Sequence, residues 1–299
     1  MTPEAASTRE DQRVIRTNED QLVEIAIAGD ISAPAFARGP FLPDNDGLAV
    51  VRPGMYGYVY NVRVGDPAFG WQGDHVEPGA SIDHPDGGVH HALHYLTCMG
   101  NEAVVTTGLA AGAKGIVVGE HARILVDFDP EVHDLLCVGD TIQIKAKGRG
   151  LKLLDVPNVE LKKMSPELLH AMNLSVEDGK LHVPVAMELP VKVMASGAEL
   201  NSEYVDQDIT SGDRSFMRES GIEKLRLGDV VAIDDADHYW GRGYRKGYRA
   251  IALCIHGDSV MTGHGPGILT LMAGTADDIE WSIDPQANIA RYLNIRETL

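Results

Sequence analysis

Apolar and polar positions alternate in short runs along most of the chain. Examples are Leu22-Val-Glu-Ile-Ala-Ile, Met55-Tyr-Gly-Tyr-Val-Tyr-Asn-Val, Ile116-Val-Val and Ile124-Leu-Val-Asp-Phe. Many are bounded by Gly, Pro, Asp or Asn. A period of two with this punctuation predicts short strands joined by turns, because alternate side chains of an extended chain face opposite sides. One unit recurs: Leu136-Cys-Val-Gly-Asp-Thr-Ile-Gln-Ile and Leu225-Arg-Leu-Gly-Asp-Val-Val-Ala-Ile. Each places a Gly-Asp turn directly before a strand. The device suits a small β-barrel, since glycine permits the turn and pairing resumes at once. The repeat is too short to establish duplication.

Helical signals are few. Asp129-Pro130, Ser165-Pro166 and Asp284-Pro285 each put a capping residue before a proline, which is tolerated at the first helical position. They head expected helices over 131–136, 167–172 and 286–294, and a fourth is expected over 89–99. The fold class is therefore mainly β: two β-rich parts of small-barrel character with a few short helices. Residues 1–18 read as a flexible polar leader. The basic stretch 145–152, followed by Asp155-Val-Pro-Asn, marks a divide. It separates an N-terminal β-rich domain (19–152) from a C-terminal one (153–299).

Composition narrows the function. The chain of 299 residues can bury a substantial core, and 44% hydrophobic with 23% charged residues fits a soluble globular protein. The formal charge of −18 argues against a general nucleic-acid partner, whose phosphates are held mainly by Lys and Arg. Cys98, Cys137 and Cys254 form no CxxC pair, so neither a disulfide framework nor a cysteine zinc site is indicated. They read as inert thiols in apolar surroundings of a reducing compartment. The first residues lack the apolar stretch of a secretory signal, and no run approaches the ~18 apolar residues of a membrane span. A cytoplasmic protein without membrane contact is expected, with a small-molecule ligand and assembly into a homo-oligomer.

Candidate chemistry is densest from Asp234 to Gly267, where acids, histidines, arginines and glycines surround one apolar strand, Ala250 to Ile255. Residues at strand ends are where sites are usually built. Arg242 and Arg245 lie among Gly241, Gly243 and Gly247 and are candidates to clamp a substrate carboxylate. The plainer reading is a hairpin turn with solvated charges. His256 and Asp258 alternate along an extended chain and so share a face, as a general base and its partner. His264 sits on the loop Gly263-His-Gly-Pro-Gly267 as a candidate acid toward a leaving nitrogen. Upstream, Asp74-His75-Val-Glu77 places His75 and Glu77 on one face if extended. Asp74, His75, Asp237 and His238 are the candidate ligands of one divalent ion, Zn, Mn or Mg.

Other motifs carry less. In the run from His84 to His94, His90 and His94 stand one helical turn apart, the spacing of HExxH. Position 91 is His rather than Glu, so the metalloprotease reading lacks its base and a solvated or adventitious metal-binding helix is the plainer one. Gly108 to Gly115 fails the phosphate-loop spacing, and no GxGxxG with its downstream acid is present, so no nucleotide cofactor is expected. Ser259 lacks the second glycine of a nucleophile elbow.

These residues also carry a resemblance. Gly-Asp74-His75-Val-Glu77-Pro-Gly, Gly100-Asn-Glu-Ala103, Gly112-Ala-Lys-Gly115, Gly150-Leu-Lys-Leu-Leu-Asp155, Asp235-Ala-Asp-His238 and His256-Gly-Asp-Ser…Gly-His264-Gly-Pro-Gly267 are together similar to a prokaryotic family of unknown function with structural-genomics representatives. The match runs from about Asn18 to Gly274. It implies a mainly β, two-part cytosolic fold and brings no established activity. Members have small or amide residues where this chain has His90-His91. A weaker likeness is to acetamidase/formamidase-type hydrolases, which are also β-rich. Two functional expectations result. One is a metal-dependent hydrolase of small amides, imides or related C–N compounds. The other is a non-catalytic oligomeric module that binds a small anionic metabolite.

Overall fold

The computed structural model of the chain describes residues 15–35, 39, 41–54, 57–197 and 206–299. Among them strand outweighs helix, 38% to 14%, as the period-two pattern requires. β1 (Ile25–Ile31) is followed by a small hairpin of β2 (Leu42–Pro43) and β3 (Ala49–Val50). β4 (Ala80–Asp83), β5 (Glu102–Val105), β6 (Lys114–Glu120), β7 (Ile124–Phe128) and β8 (Thr141–Ala146) then join β1 in a closed barrel. Its order is β1-β4-β7-β6-β5-β8, with every neighbouring pair antiparallel. In β8, Ile142, Ile144 and Ala146 are buried while Gln143 and Lys145 are exposed, so the alternation seen in sequence separates inside from outside.

The second half supplies β9 (Glu160–Leu161), β10 (Ser175–Glu177), β11 (Lys180–Val185), β12 (Met187–Leu189), β13 (Gln207–Asp208), β14 (Val230–Asp237), β15 (Gly243–His256), β16 (Gly267–Thr275) and β17 (Ile279–Ile283). An open sheet runs β12-β14-β15-β16-β13, with β9 also on β16, and β10-β11-β17 form a smaller sheet. The central strands read as continuous apolar runs because both faces are covered. Val230, Ala232, Ile251, Leu253 and Ile255 point into the core shared with the barrel. Val231, Ile233, Ala250, Ala252 and Cys254 point into a second core with Leu189, Ile209, Met217 and Leu225. Barrel and sheet meet closely: a Cβ on Gly119 of β6 would lie 3.2 Å from Ile255 Cβ. One apolar core is thus continuous across the divide expected at 152/153.

Residues 1–14 of the expected leader lie outside the described residues, but 15–18 are anchored. Arg16 pairs with Asp155 at 2.7 Å, Thr17 bridges Leu153, and the Asn18 amide donates to the Gly150 carbonyl. The run expected as a strand from Met55 makes one bridge only among its described residues, Tyr58 with Ala80. There the Tyr58 hydroxyl donates to the His133 carbonyl, Val59 N donates to the Gly79 carbonyl, and the Val62 carbonyl accepts from Gly79 N. Cys98 and Cys254 are buried, whereas Cys137 is exposed on the turn before β8.

Five short α-helices occur among the described residues: α1 (Gly87–Leu96), α2 (Pro130–His133), α3 (Pro166–Ala171), α4 (Arg214–Glu219) and α5 (Ile289–Tyr292). None is long and apolar enough to cross a membrane. Ser165 caps α3 by accepting from Leu168 N, as its Ser-Pro start predicts. The helix expected over 286–294 begins later. Asn288, not Asp284, is its cap, because the Asn288 side chain accepts from Ala290 N and donates to Leu227 O and Asp229.

The repeated Gly-Asp unit forms the same turn twice. Asp140 accepts from Cys137 N and Asp229 accepts from Arg226 N, each at 2.8 Å, with Gly139 at φ 91° and Gly228 at φ 85°. The surroundings differ. A Cβ on Gly139 meets open space, whereas one on Gly228 would lie 2.8 Å from Ile289 Cγ2 and 2.9 Å from Asn288 Oδ1. Gly139→Ala is therefore expected to cost about 1–2 kcal/mol from the left-handed backbone alone. Gly228→Ala should cost a further ~1–3 kcal/mol from overpacking. Urea unfolding of both variants checks the difference; equal losses would refute it.

Candidate functional site

Five chain segments meet where the barrel abuts the end of the sheet. The loop before β4 brings Asp74, His75 and Glu77; the end of β6 brings His121; β13 and the residue before it bring Asp208 and Asp206. β15 ends at His256, and the glycine loop before β16 brings His264. His256 is wholly buried, and Asp206, Asp208, His75 and Glu77 are nearly so. Such a cluster cannot stand without neutralisation, because an unpaired buried charge costs several kcal/mol.

Asp208 is the hub. Its Oδ2 lies 2.6 Å from His264 Nδ1 and 3.7 Å from His75 Nε2, and its Oδ1 lies 3.3 Å from His256 Nε2. His256 Nε2 also lies 2.8 Å from Asp206 Oδ2. His75 Nε2 is 3.3 Å from His264 Nδ1. His121 stacks parallel to His75 and lies 4.2 Å, centroid to centroid, from His256.

A second layer fixes the rings. His256 Nδ1 donates to the Gly257 carbonyl at 2.9 Å, which turns Nε2 toward the carboxylates. Asp74 Oδ1 lies 2.5 Å from His75 Nδ1, and Asp74 itself accepts from Ser259 Oγ and Val260 N. Glu77 holds His121 Nδ1 at 2.9 Å and accepts from Ser81. His75 has φ 50°, an unusual conformation for a non-glycine residue and a form of strain found at functional sites. That turn also corrects the extended reading of residues 74–77: Asp74 and His75 bind each other instead of facing apart.

The electrostatics follow. Burial works to raise the Asp208 carboxyl, but hydrogen bonds from His256, His264 and His75 outweigh it and hold its pKa far below the usual range. Burial disfavours a charged His256, yet Asp206 and Asp208 raise its pKa well above the ordinary imidazole value. Three overlapping groups bring ligand atoms within 4.8 Å of one another: His75, His121 and His256; His75, Asp208 and His264; Asp206, Asp208 and His256. Each presents the donor set of a cation site, and in the two groups with a carboxylate a cation would replace the proton that otherwise bridges imidazole and carboxylate.

The expected site residues divide. Asp74, His75, His256 and His264 converge. Asp258 does not partner His256; its carboxylate accepts from Ser211 at 2.5 Å and pairs with Arg214 at 2.6 Å, since the chain leaves the strand after His256. Asp237 and His238 belong to none of the three groups. Asp237 pairs with Arg245. His238 Nδ1 lies 2.9 Å from Thr270 Oγ1. Burial, and then the Arg242 charge, lowers the His238 pKa to about 3. Gln207 lines a cavity of about 210 Å³ with His238, whereas its neighbours Asp206 and Asp208 face His256. Alternation along β13 therefore puts His238 behind the histidine cluster. Arg242 precedes β15 and Arg245 lies near its start, while His256 ends it; the pairing of β15 with β14 is interrupted between Asp234 and Ala236, and Arg245 turns to Asp237 and Tyr248 rather than to the cluster.

Sequence reasoning missed Asp206, Asp208 and His121. The Asp-x-Asp spacing was a signal, but its histidine partners are distant in sequence. A cavity of about 520 Å³ opens beside the cluster, lined by Arg52, Phe69, Trp71, Arg214, Arg218 and residues 258–260. Its wall backs onto the site, for the Asp258 carbonyl accepts from His75 N. A larger cavity of about 630 Å³, on the barrel flank by Lys114 and Lys145, contains none of these histidines.

The fold and cluster define a class: a mainly β chain whose buried His/Asp site is assembled from both halves. Two family profiles match it, "Domain of unknown function (DUF4438), N-terminal" over residues 41–170 and "Domain of unknown function (DUF4438), C-terminal" over residues 171–293. The chain belongs to this family. It is similar to the solved structure "Crystal structure of TM1086", with 40% identity, a TM-score of 0.89, and coverage of 93% of this chain and 99% of that one. No curated protein matches the chain, and the likeness to acetamidase/formamidase-type hydrolases gains no support.

One glycine is set by the site itself. A Cβ on Gly267 would lie 2.0 Å from His256 Nε2 and 2.7 Å from Asp206 Oδ2. Gly267→Ala should displace the His256 ring and cost about 1–3 kcal/mol by overpacking. A crystal structure and denaturant unfolding of the variant check this. An unmoved ring would show that the pocket tolerates the methyl.

Proposed function

We propose that the protein is a divalent-metal-dependent hydrolase of a small, carboxylate-bearing amide or imide. The observation that supports this most is the overlap of three mostly buried ligand groups that share His75, Asp208 and His256, with His121, Asp206 and His264 completing them. Zn, Mn or Mg there would polarise a carbonyl and acidify a water. Imidazole nitrogens favour Zn or Mn over Mg. The Gly257 carbonyl fixes the His256 ring and Asp74 orients His75, so both would present Nε2 to such an ion. His264 is the member best placed to exchange protons with a substrate, because its side chain is 28% exposed while His256 and Asp208 are shut in. The cavity with Arg214, Arg218 and Arg52 takes over the anchoring role expected of Arg242 and Arg245, since a guanidinium fork matches a carboxylate.

A second reading rests on the same cavity. Its arginines and aromatics suit a non-catalytic module that holds a small anionic metabolite, in an oligomer.

Tag-free protein should hydrolyse at least one member of a panel of carboxylate-bearing amides and imides only when divalent metal is present. Chelation should abolish the rate. His264→Ala should lower turnover by ~10²–10⁴-fold, the usual contribution of an acid–base group. It should cost less stability than His256→Ala, which strips two buried carboxylates of a shared partner. Metal-loaded protein that binds such compounds and cleaves none would favour the binding module.

A further inference from the structure

A separate cluster lies on the other side of the β6 terminus. Successive residues there point to different places: His121 to Glu77, and Glu120 to His94. α1 carries His90 and His94 one turn apart on a single face, and β4 contributes Asp83. The ligand atoms of Asp83, His90 and His94 all lie within 4.8 Å of one another, and the two imidazole centroids are 4.4 Å apart. Ligands at ~2.0–2.2 Å from an ion in a tetrahedron stand about 3.4 Å apart, so small rotations suffice to close the set.

The surroundings resemble the outer layer of a metal site. His94 Nδ1 lies 2.7 Å from Glu120 Oε1. The carboxylate accepts a hydrogen bond from Nδ1–H, so in the neutral ring Nε2 carries the lone pair that ligates. Lys163 Nζ sits 2.5 Å from Glu120 Oε2 and neutralises it. Arg123 Nη1 holds Asp83 Oδ2 at 3.1 Å, which leaves Oδ1 facing His90 at 2.6 Å. The His94 and Glu120 side chains are buried, whereas His90 and Asp83 are 24% and 20% exposed, so the group opens to solvent on one side. Asp86 caps α1 through Gly88 N and Val89 N, which fixes the helix that presents both histidines.

We propose that Asp83, His90 and His94 form a second metal site, distinct from the His75/His256 cluster. It would take one divalent transition-metal ion and leave a coordination position open to solvent. Two imidazoles and a carboxylate select zinc, iron or manganese over the oxygen-seeking magnesium and calcium. The Arg123 charge opposes a cation here, so this site is expected to fill after the buried one.

The test is Zn²⁺ titration of tag-free, chelator-stripped full-length protein by calorimetry, with Co²⁺ absorption as a second probe. The wild type should bind two equivalents. His90→Gln, which retains a donor toward Asp83, should bind one, and Asp83→Asn should behave alike. His75→Asn should lose the other equivalent and keep the site on α1. Circular dichroism verifies that each variant folds, and partly exposed His90 is the safest substitution. If His90→Gln and Asp83→Asn bind as many ions as the wild type with unchanged affinities, the second site is overturned. A single wild-type equivalent that only His75→Asn removes overturns it equally, and leaves the first site standing.

Discussion

The carboxylate of Asp208 is the constraint on which the site depends. It is almost fully buried, and an isolated charge there would cost several kcal/mol. Its imidazole neighbours come from three other segments: His75 before β4, His256 at the end of β15 and His264 before β16. None of these segments can shift without exposing Asp208 to uncompensated burial. The barrel's entry loop and the sheet's edge are therefore locked together by electrostatics as well as by the apolar contact around Ile255.

Backbone geometry serves this constraint. Gly267 must lack a side chain because the His256 ring occupies the space of its Cβ. Gly265 is held as tightly, since its Cβ would lie 1.9 Å from the Ile209 carbonyl. Gly265 and Gly267 thus bring β16 close to β13, which places Asp208 beside the histidines. Ser259, unfit as a nucleophile by its sequence setting, has a plainer role: its hydroxyl donates to Asp74 and fixes the carboxylate that orients His75. The strained φ of His75 is sustained because its ring, backbone N–H and acidic neighbour are all engaged.

The long hairpin of β14 and β15 shows why dense motifs mislead. Asp237, His238, Arg242, Arg245 and His256 look like one constellation along the chain. Asp206 and Asp208 face His256, whereas Gln207 between them lines a cavity with His238, Gly243 and Tyr244, so opposite faces of β13 give the two ends of β15 different surroundings. A bulge at Asp235, with φ 57°, allows the exposed arm to bend away, and there Arg245 stacks on Tyr248 and pairs with Asp237. The plainer hairpin reading describes the contacts of Arg245, whereas the Arg242 guanidinium is buried and its charge acts on His238.

Local physics made much of the architecture legible. Period-two alternation in 141–146, Gly-Asp turns at 139–140 and 228–229, and the Ser165-Pro166 cap each require only neighbouring residues, so the sequence alone determined them. Family membership was legible for the same reason, as contiguous motifs from 73 to 79 and from 256 to 267. Half of the site was visible where histidine and glycine were adjacent, at His75, His256 and His264. The rest was decided by tertiary structure. Asp206 and Asp208 acquire meaning only when β13 pairs with β16, and His121 only when the barrel closes against the sheet. Burial and charge compensation are properties of residues far apart in the chain, and no local pattern encodes which carboxylate a distant imidazole will meet.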